Sequence, residues 1–112
     1  MEIKSGDIVL CEFYFSDLKQ YKKRPVLIYK DNLPFDDFMA IAISSKIQTL
    51  YQDEYILDNN MLQFGSIPKT SKIMLRKTFL VDKKLIVKSY ATLTNSAYIE
   101  IKNKFCSYHS CS

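Results

Sequence analysis

Arg24-Pro25 follows the tripeptide Ser16-Asp17-Leu18 across a basic stretch, Lys19 to Lys23, and leads into the apolar run Val26-Leu27-Ile28. This order sets a permanent cation where a lysine-bearing loop meets a rigid sheet. A planar guanidinium in that place suits an anion with paired oxygens, and a phosphodiester is such an anion. Cys106, His109 and Cys111 also lie close together, at the tail. They offer three ligands without an evident fourth, so no metal site is expected there. Cys11 alternates with Val9 and Phe13 as a buried thiol would, and an odd count of three cysteines argues against a full disulfide framework.

Positioning such a cation requires strands. Ile8 to Phe15, entered from Gly6-Asp7, is β-branched and aromatic and predicts a first strand. Asp17 to Lys23 reads as a long hairpin loop, with Pro25 among the opening residues of strand two because it lacks an amide donor. After the turn cluster Asp31 to Asp37, Phe38 to Ile43 predicts a central third strand ending at Ser44-Ser45-Lys46. Tyr55-Ile56-Leu57 fits an edge, Ile73 to Val81 one or two strands, and Leu85-Ile86-Val87 another after a turn at 82–84. Thr94 is placed to cap a terminal helix whose Ala97, Ile101, Lys104-Phe105 and Tyr108 share one face. Many short strands and one closing helix predict a small, mainly β barrel or roll.

At 112 residues, 47% hydrophobic and 13% aromatic, the chain is expected to form a single domain over residues 1–112. No apolar run approaches the ~20 residues of a membrane helix. The opening Met1-Glu2-Ile3-Lys4-Ser5-Gly6 has no apolar signal core, so a cytoplasmic protein is expected, with no membrane partner. Charge is unevenly spread. Residues 1–64 hold seven Lys/Arg against ten Asp/Glu, net −3, and residues 65–112 hold nine against two, net +7. The basic half, joined by Lys19 to Arg24, fits either a nucleic acid or an acidic protein segment, and it also fits plain solvated lysines.

Gly6-Asp7-Ile8-Val9, Phe13-x-Phe15-Ser16-Asp17-Leu18, Lys22-Lys23-Arg24-Pro25-Val26-Leu27 and Ile41-Ala42-Ile43-Ser44-Ser45 resemble the PemK/MazF family of toxin endoribonucleases. Phe79 to Ile86 and Leu93-Thr94 extend the likeness over nearly the whole chain. The resemblance implies an SH3-like β-barrel with a C-terminal α-helix, a homodimer, and cleavage of single-stranded RNA without metal or cofactor. It also implies a cognate antitoxin whose acidic, flexible segment fills the RNA groove, the pair forming a DNA-binding complex.

By the same resemblance Arg24 takes the place of the catalytic arginine, gripping the scissile phosphate. Ser44 stands where the family usually has threonine, keeping the hydroxyl without the β-branch that fixes its rotamer. Ser45 is the neighbouring choice if the register shifts by one. The implied reaction is attack of a 2′-hydroxyl on the adjacent phosphate, giving 2′,3′-cyclic phosphate and 5′-hydroxyl ends. With His109 the only histidine, a two-histidine mechanism within one chain is excluded, leaving Asp17 or Glu12 as candidate bases. Lys19, Lys22 and Lys23 would line the RNA entrance, and Tyr21 is a better stacking residue than Phe15, whose parity matches the core. In the stretch where relatives carry an RNA-contacting arginine and acid, this chain has Arg76-Lys77 and no acid. That departure points either to a different RNA sequence or to a wall that serves the antitoxin. Two rivals share the fold: a CcdB-like gyrase poison that cuts nothing, and a degenerate member that binds RNA or antitoxin without turnover.

Overall fold

The computed structural model describes residues 3–110. Seven strands, β1 (Asp7–Phe15), β2 (Gln20–Lys30), β3 (Asp37–Ser44), β4 (Glu54–Leu57), β5 (Leu62–Gly65), β6 (Ser71–Asp82) and β7 (Ile86–Leu93), precede one helix, α1 (Asn95–His109). They form a single antiparallel sheet in the order β4-β6-β3-β2-β1-β7-β5. The sheet curls into a half-barrel, so the expected small β roll with a C-terminal helix is what the chain builds.

Curling explains why the central strands read as unbroken apolar runs: both faces are covered. On one face Ile8, Leu27, Ile41, Ile43, Ile73 and Leu75 pack with Ala97 and Ile101 of α1. On the other, Val9, Cys11, Val26, Ile28, Phe38, Ala40 and Val81 form a second cluster. Cys11 is fully buried there, and burial pushes its thiol up to about 11. The helix begins as the sequence predicts, Thr94 Oγ1 accepting from the Ala97 amide at 3.1 Å. Ala97, Ile101 and Phe105 follow the anticipated stripe, but Tyr108 is exposed.

Two local expectations change. The residues 20–23 are not loop but the start of β2, with Phe15 opposite Gln20, Tyr14 opposite Tyr21 and Phe13 opposite Lys22. The Tyr14–Tyr21 pair lengthens the ladder until only a short turn remains, closed by Leu18 and Lys19 amides on the Phe15 and Ser16 carbonyls. Pro25 therefore sits mid-strand rather than at a strand start. It is tolerated because β3 pairs with β2 only from Val26 onward, which makes the Gln20–Pro25 half of β2 a local edge.

Candidate nucleic-acid groove

That local edge creates the site. With β3 no longer bonded beside it, the first half of β2 borders a groove of about 1010 Å³. Arg24 lines it, exposed and without an ion pair to any described residue. The β2–β3 register runs Ile28↔Ala40, Leu27↔Ile41, Val26↔Ala42 and ends there, two residues short of Arg24 on one strand and of Ser44 on the other. Ser44 lines the same groove and is half-buried. Its Oγ accepts the Lys46 amide at 3.1 Å, which leaves the hydroxyl hydrogen free to donate. The serine thus caps its turn and still presents a donor.

Of the other sequence-predicted residues, Lys23, Ser45, Arg76 and Lys77 line the groove, while Asp17, Lys19, Tyr21 and Lys22 do not. Asp17 and Lys19 occupy the exposed hairpin turn. Tyr21 is 67% exposed and leans on Tyr14, ring centroids 5.0 Å apart. Phe15, read as the weaker stacking residue, is at the groove together with Phe13 and Phe79. Phe13 meets Phe15 and Phe79 edge-on, at 6.5 and 5.7 Å, so the three rings form a connected apolar wall. Lys22 reaches back over Phe15, 6.0 Å from its centroid. Glu12 faces Lys23 across the hairpin and is not a lining residue.

The opposite wall holds what the sequence did not disclose. Between Ile41↔Thr78 and Ala42↔Met74 the β3–β6 register slips, so Leu75, Arg76 and Lys77 bulge out of the ladder. Asp53 secures this bulge. Its carbonyl accepts the Leu75 amide at 3.0 Å, and its carboxylate accepts the Arg76 amide and Nη1. Glu54 binds Lys72 Nζ at 2.7 Å through Oε1 and lies 2.9 Å from Arg76 Nη1 through Oε2. Oε2 has no well-angled hydrogen bond among the described residues, so its compensation is ionic. Burial alone would raise the Glu54 pKa, but Lys72, the Tyr51 amide and Arg76 outweigh it and hold the carboxyl at about 2. The carboxylates on Asp53 and Glu54 likewise raise the Arg76 pKa. Arg76 thus meets its carboxylates from β4 and the turn before it rather than from its own strand. An Asp-Glu pair ahead of a short strand was the only signal, and nothing in the chain order tied it to Arg76.

His109 serves structure: Nε2 is 2.8 Å from the Leu75 carbonyl, docking the helix end onto the bulge. Cys106 Sγ lies 4.0 Å from the Tyr29 hydroxyl, and Cys111 is outside the described residues. No group of three or more metal-ligating side chains occurs among the described residues. No helix among them is long and apolar enough to cross a membrane.

A curled antiparallel half-barrel with one C-terminal helix, carrying a basic groove at the β2–β3 fork, defines a compact, mainly β class of fold. The sequence profile described as PemK-like, MazF-like toxin of type II toxin-antitoxin system matches residues 4–109, and the chain belongs to that family. Among solved structures, a MazE–MazF complex from Deinococcus radiodurans aligns with a TM-score of 0.76 at 16% identity, over 98% of this chain and 97% of that one. An endoribonuclease in complex with its cognate antitoxin from a mycobacterial species gives 0.72 at 12%, over 99% and 98%. A MazF toxin from Mycobacterium tuberculosis gives 0.67 at 15%, over 95% and 98%. No curated protein matches the sequence.

Proposed function

We propose that this chain is a metal-independent endoribonuclease that cuts single-stranded RNA at selected sequences, and that a cognate antitoxin silences it by laying an acidic segment in the same groove. The observation that carries the reading is Arg24: an exposed guanidinium with no ion pair to any described residue, lining the same groove as a serine whose O–H is free to donate and an aromatic wall. The guanidinium fork holds the nonbridging oxygens of the scissile phosphate and stabilises the charge that grows on them. Ser44 donates to the same phosphate, while Lys23, Lys46, Lys69 and Lys77 attract the flanking ones. The 2′-oxygen then attacks phosphorus, the P–O5′ bond breaks, and the proton lost from the 2′-hydroxyl is balanced by one gained on the 5′-oxygen.

Among the described residues Glu54 is the only carboxylate lining the groove, and at about 2 it is too weak a base for that proton. Asp17 and Glu12 stand outside, so the rate rests on phosphate electrostatics and on splaying the nucleotide for in-line attack. A homodimer, as the family resemblance implies, supplies a second groove and a longer RNA track. Similar folds have been solved as an endoribonuclease bound to its cognate antitoxin and as a MazE–MazF complex, which supports the partner assigned here. Purified protein is expected to cleave a mixed single-stranded RNA pool in EDTA, leaving 5′-hydroxyl ends. Arg24→Ala is expected to lose cleavage at least a hundredfold with an unchanged melting temperature. Undiminished cleavage by that variant removes Arg24 from the chemistry, and an inert wild-type protein removes the nuclease reading.

A further inference from the structure

We infer that His109 is a positioning residue for the groove: from the end of α1 its ring latches the β6 bulge, and the latch sets where Lys77 meets a bound strand. The bulge has no ladder of its own. Met74 pairs with Ala42 and Thr78 with the adjacent Ile41, so Leu75, Arg76 and Lys77 have no partner on β3. Pairing with β4 also stops, at Glu54↔Met74. Their backbone is placed by other ties. Asp53 supplies those on the amide side, accepting from Leu75 through its carbonyl and from Arg76 through its carboxylate. On the carbonyl side of Leu75, a fully buried residue, the tie is His109 Nε2 at 2.8 Å. A carbonyl only accepts, so Nε2 carries the proton in this bond.

The imidazole is itself held firmly. Phe105 lies against it with centroids 4.3 Å apart, Tyr108 meets it edge-on at 5.0 Å, and Phe105 in turn packs 4.3 Å from Tyr29 of β2. The helix end and the sheet therefore grip the ring from one side, and the ring grips the bulge from the other. The two groove residues of the bulge depend on this latch unequally. Arg76 is fastened through its own side chain to Asp53 and Glu54, so it keeps its place without His109. Lys77 is exposed, lines the groove and has no ion pair to any described residue, so its ammonium goes where the backbone puts it. Without the imidazole the buried Leu75 carbonyl loses its donor, the bulge shifts to find another, and Lys77 moves with it. The latch stands on geometry alone; what Lys77 then loses, a phosphate of single-stranded RNA, rests on the nuclease reading.

The test compares the full chain with His109→Leu, His109→Gln, Lys77→Ala and the double variant His109→Leu/Lys77→Ala, with circular dichroism as the folding control. Amide hydrogen exchange judges the latch. In His109→Leu the Leu75 and Arg76 amides should exchange about tenfold faster while those of Ile8 and Ile28 keep their rates. His109→Gln, whose amide nitrogen reaches about as far as Nε2, should restore protection. Unchanged exchange in His109→Leu, or equal acceleration throughout the sheet, overturns the latch. Binding of an uncleavable 2′-O-methyl oligonucleotide across a salt series judges the link to Lys77. Lys77→Ala should reduce the slope of log affinity against log salt by about 0.7, and His109→Leu by a similar amount. The double variant should bind no more weakly than Lys77→Ala alone, because both changes remove one contact. Additive losses in the double variant overturn the link. A wild-type protein that binds no oligonucleotide removes the nuclease reading and the role of Lys77 with it, whereas the exchange result decides the latch by itself.

Discussion

Lys72 Nζ donates to Glu54 Oε1 across 2.7 Å, with the lysine side chain only 9% exposed and the glutamate 1%. The pair ties β6 to the edge strand β4 within the register Glu54↔Met74, Ile56↔Lys72. Removing one partner from a buried pair leaves a charge that water cannot reach, which costs more than the pair itself contributes. Lys72→Met is expected to lose about 3 kcal/mol, near the lower end for such breaks because Arg76 still faces Glu54. The double variant Glu54→Gln/Lys72→Met should recover part of that loss. Urea unfolding of the three proteins checks this, and a Lys72→Met variant as stable as wild type contradicts it.

The same carboxylate fixes an acid limit. Its pKa is about 2 in the fold against 4.5 ordinarily, so the folded state binds this proton more weakly than the unfolded chain does. Its contribution is therefore complete above about pH 4.5 and fades as pH falls towards 2. A melting-temperature series from pH 6 to pH 2 should show a drop confined to that window, with Glu54→Gln showing a shallower one. Equal slopes in the two proteins would mean that other carboxylates govern the acid transition.

Local chemistry explains why some features are legible in the chain and others are not. Thr94 announces the helix because a cap is a contact between residues three apart. Cys11 announces its burial through alternation with Val9 and Phe13, again a local period. Pro25 is only half legible: a residue without an amide donor belongs where a strand lacks a partner, but that place is a mid-strand edge at the groove and not the strand start its sequence suggests. The hairpin is longer than its polar residues indicate, since Tyr14 and Tyr21 pair across it and overrule the loop-like lysines. The Asp53–Arg76 and Glu54–Lys72 pairs are separated by 23 and 18 residues, and the β6 bulge that joins them leaves no mark in periodicity.

Ser44 offers the finest test of the groove, because two substitutions separate donating from positioning. Ser44→Ala removes the donor; the Lys46 amide it releases is exposed enough for water to replace the lost acceptor. A hydrogen bond to a charged phosphate is worth roughly 1.5–3 kcal/mol, so kcat should fall about ten- to a hundredfold with little change in melting temperature. Ser44→Thr restores the hydroxyl and adds a β-branch, which narrows the choice of rotamer at a strand end. It should match or exceed wild-type kcat on the same RNA. Single-turnover cleavage of one oligonucleotide by all three proteins supplies the comparison, with Ser45→Ala as the register control. Should Ser45→Ala be the inactive variant and Ser44→Ala the active one, the donor that serves the groove beside Arg24 is the neighbouring hydroxyl.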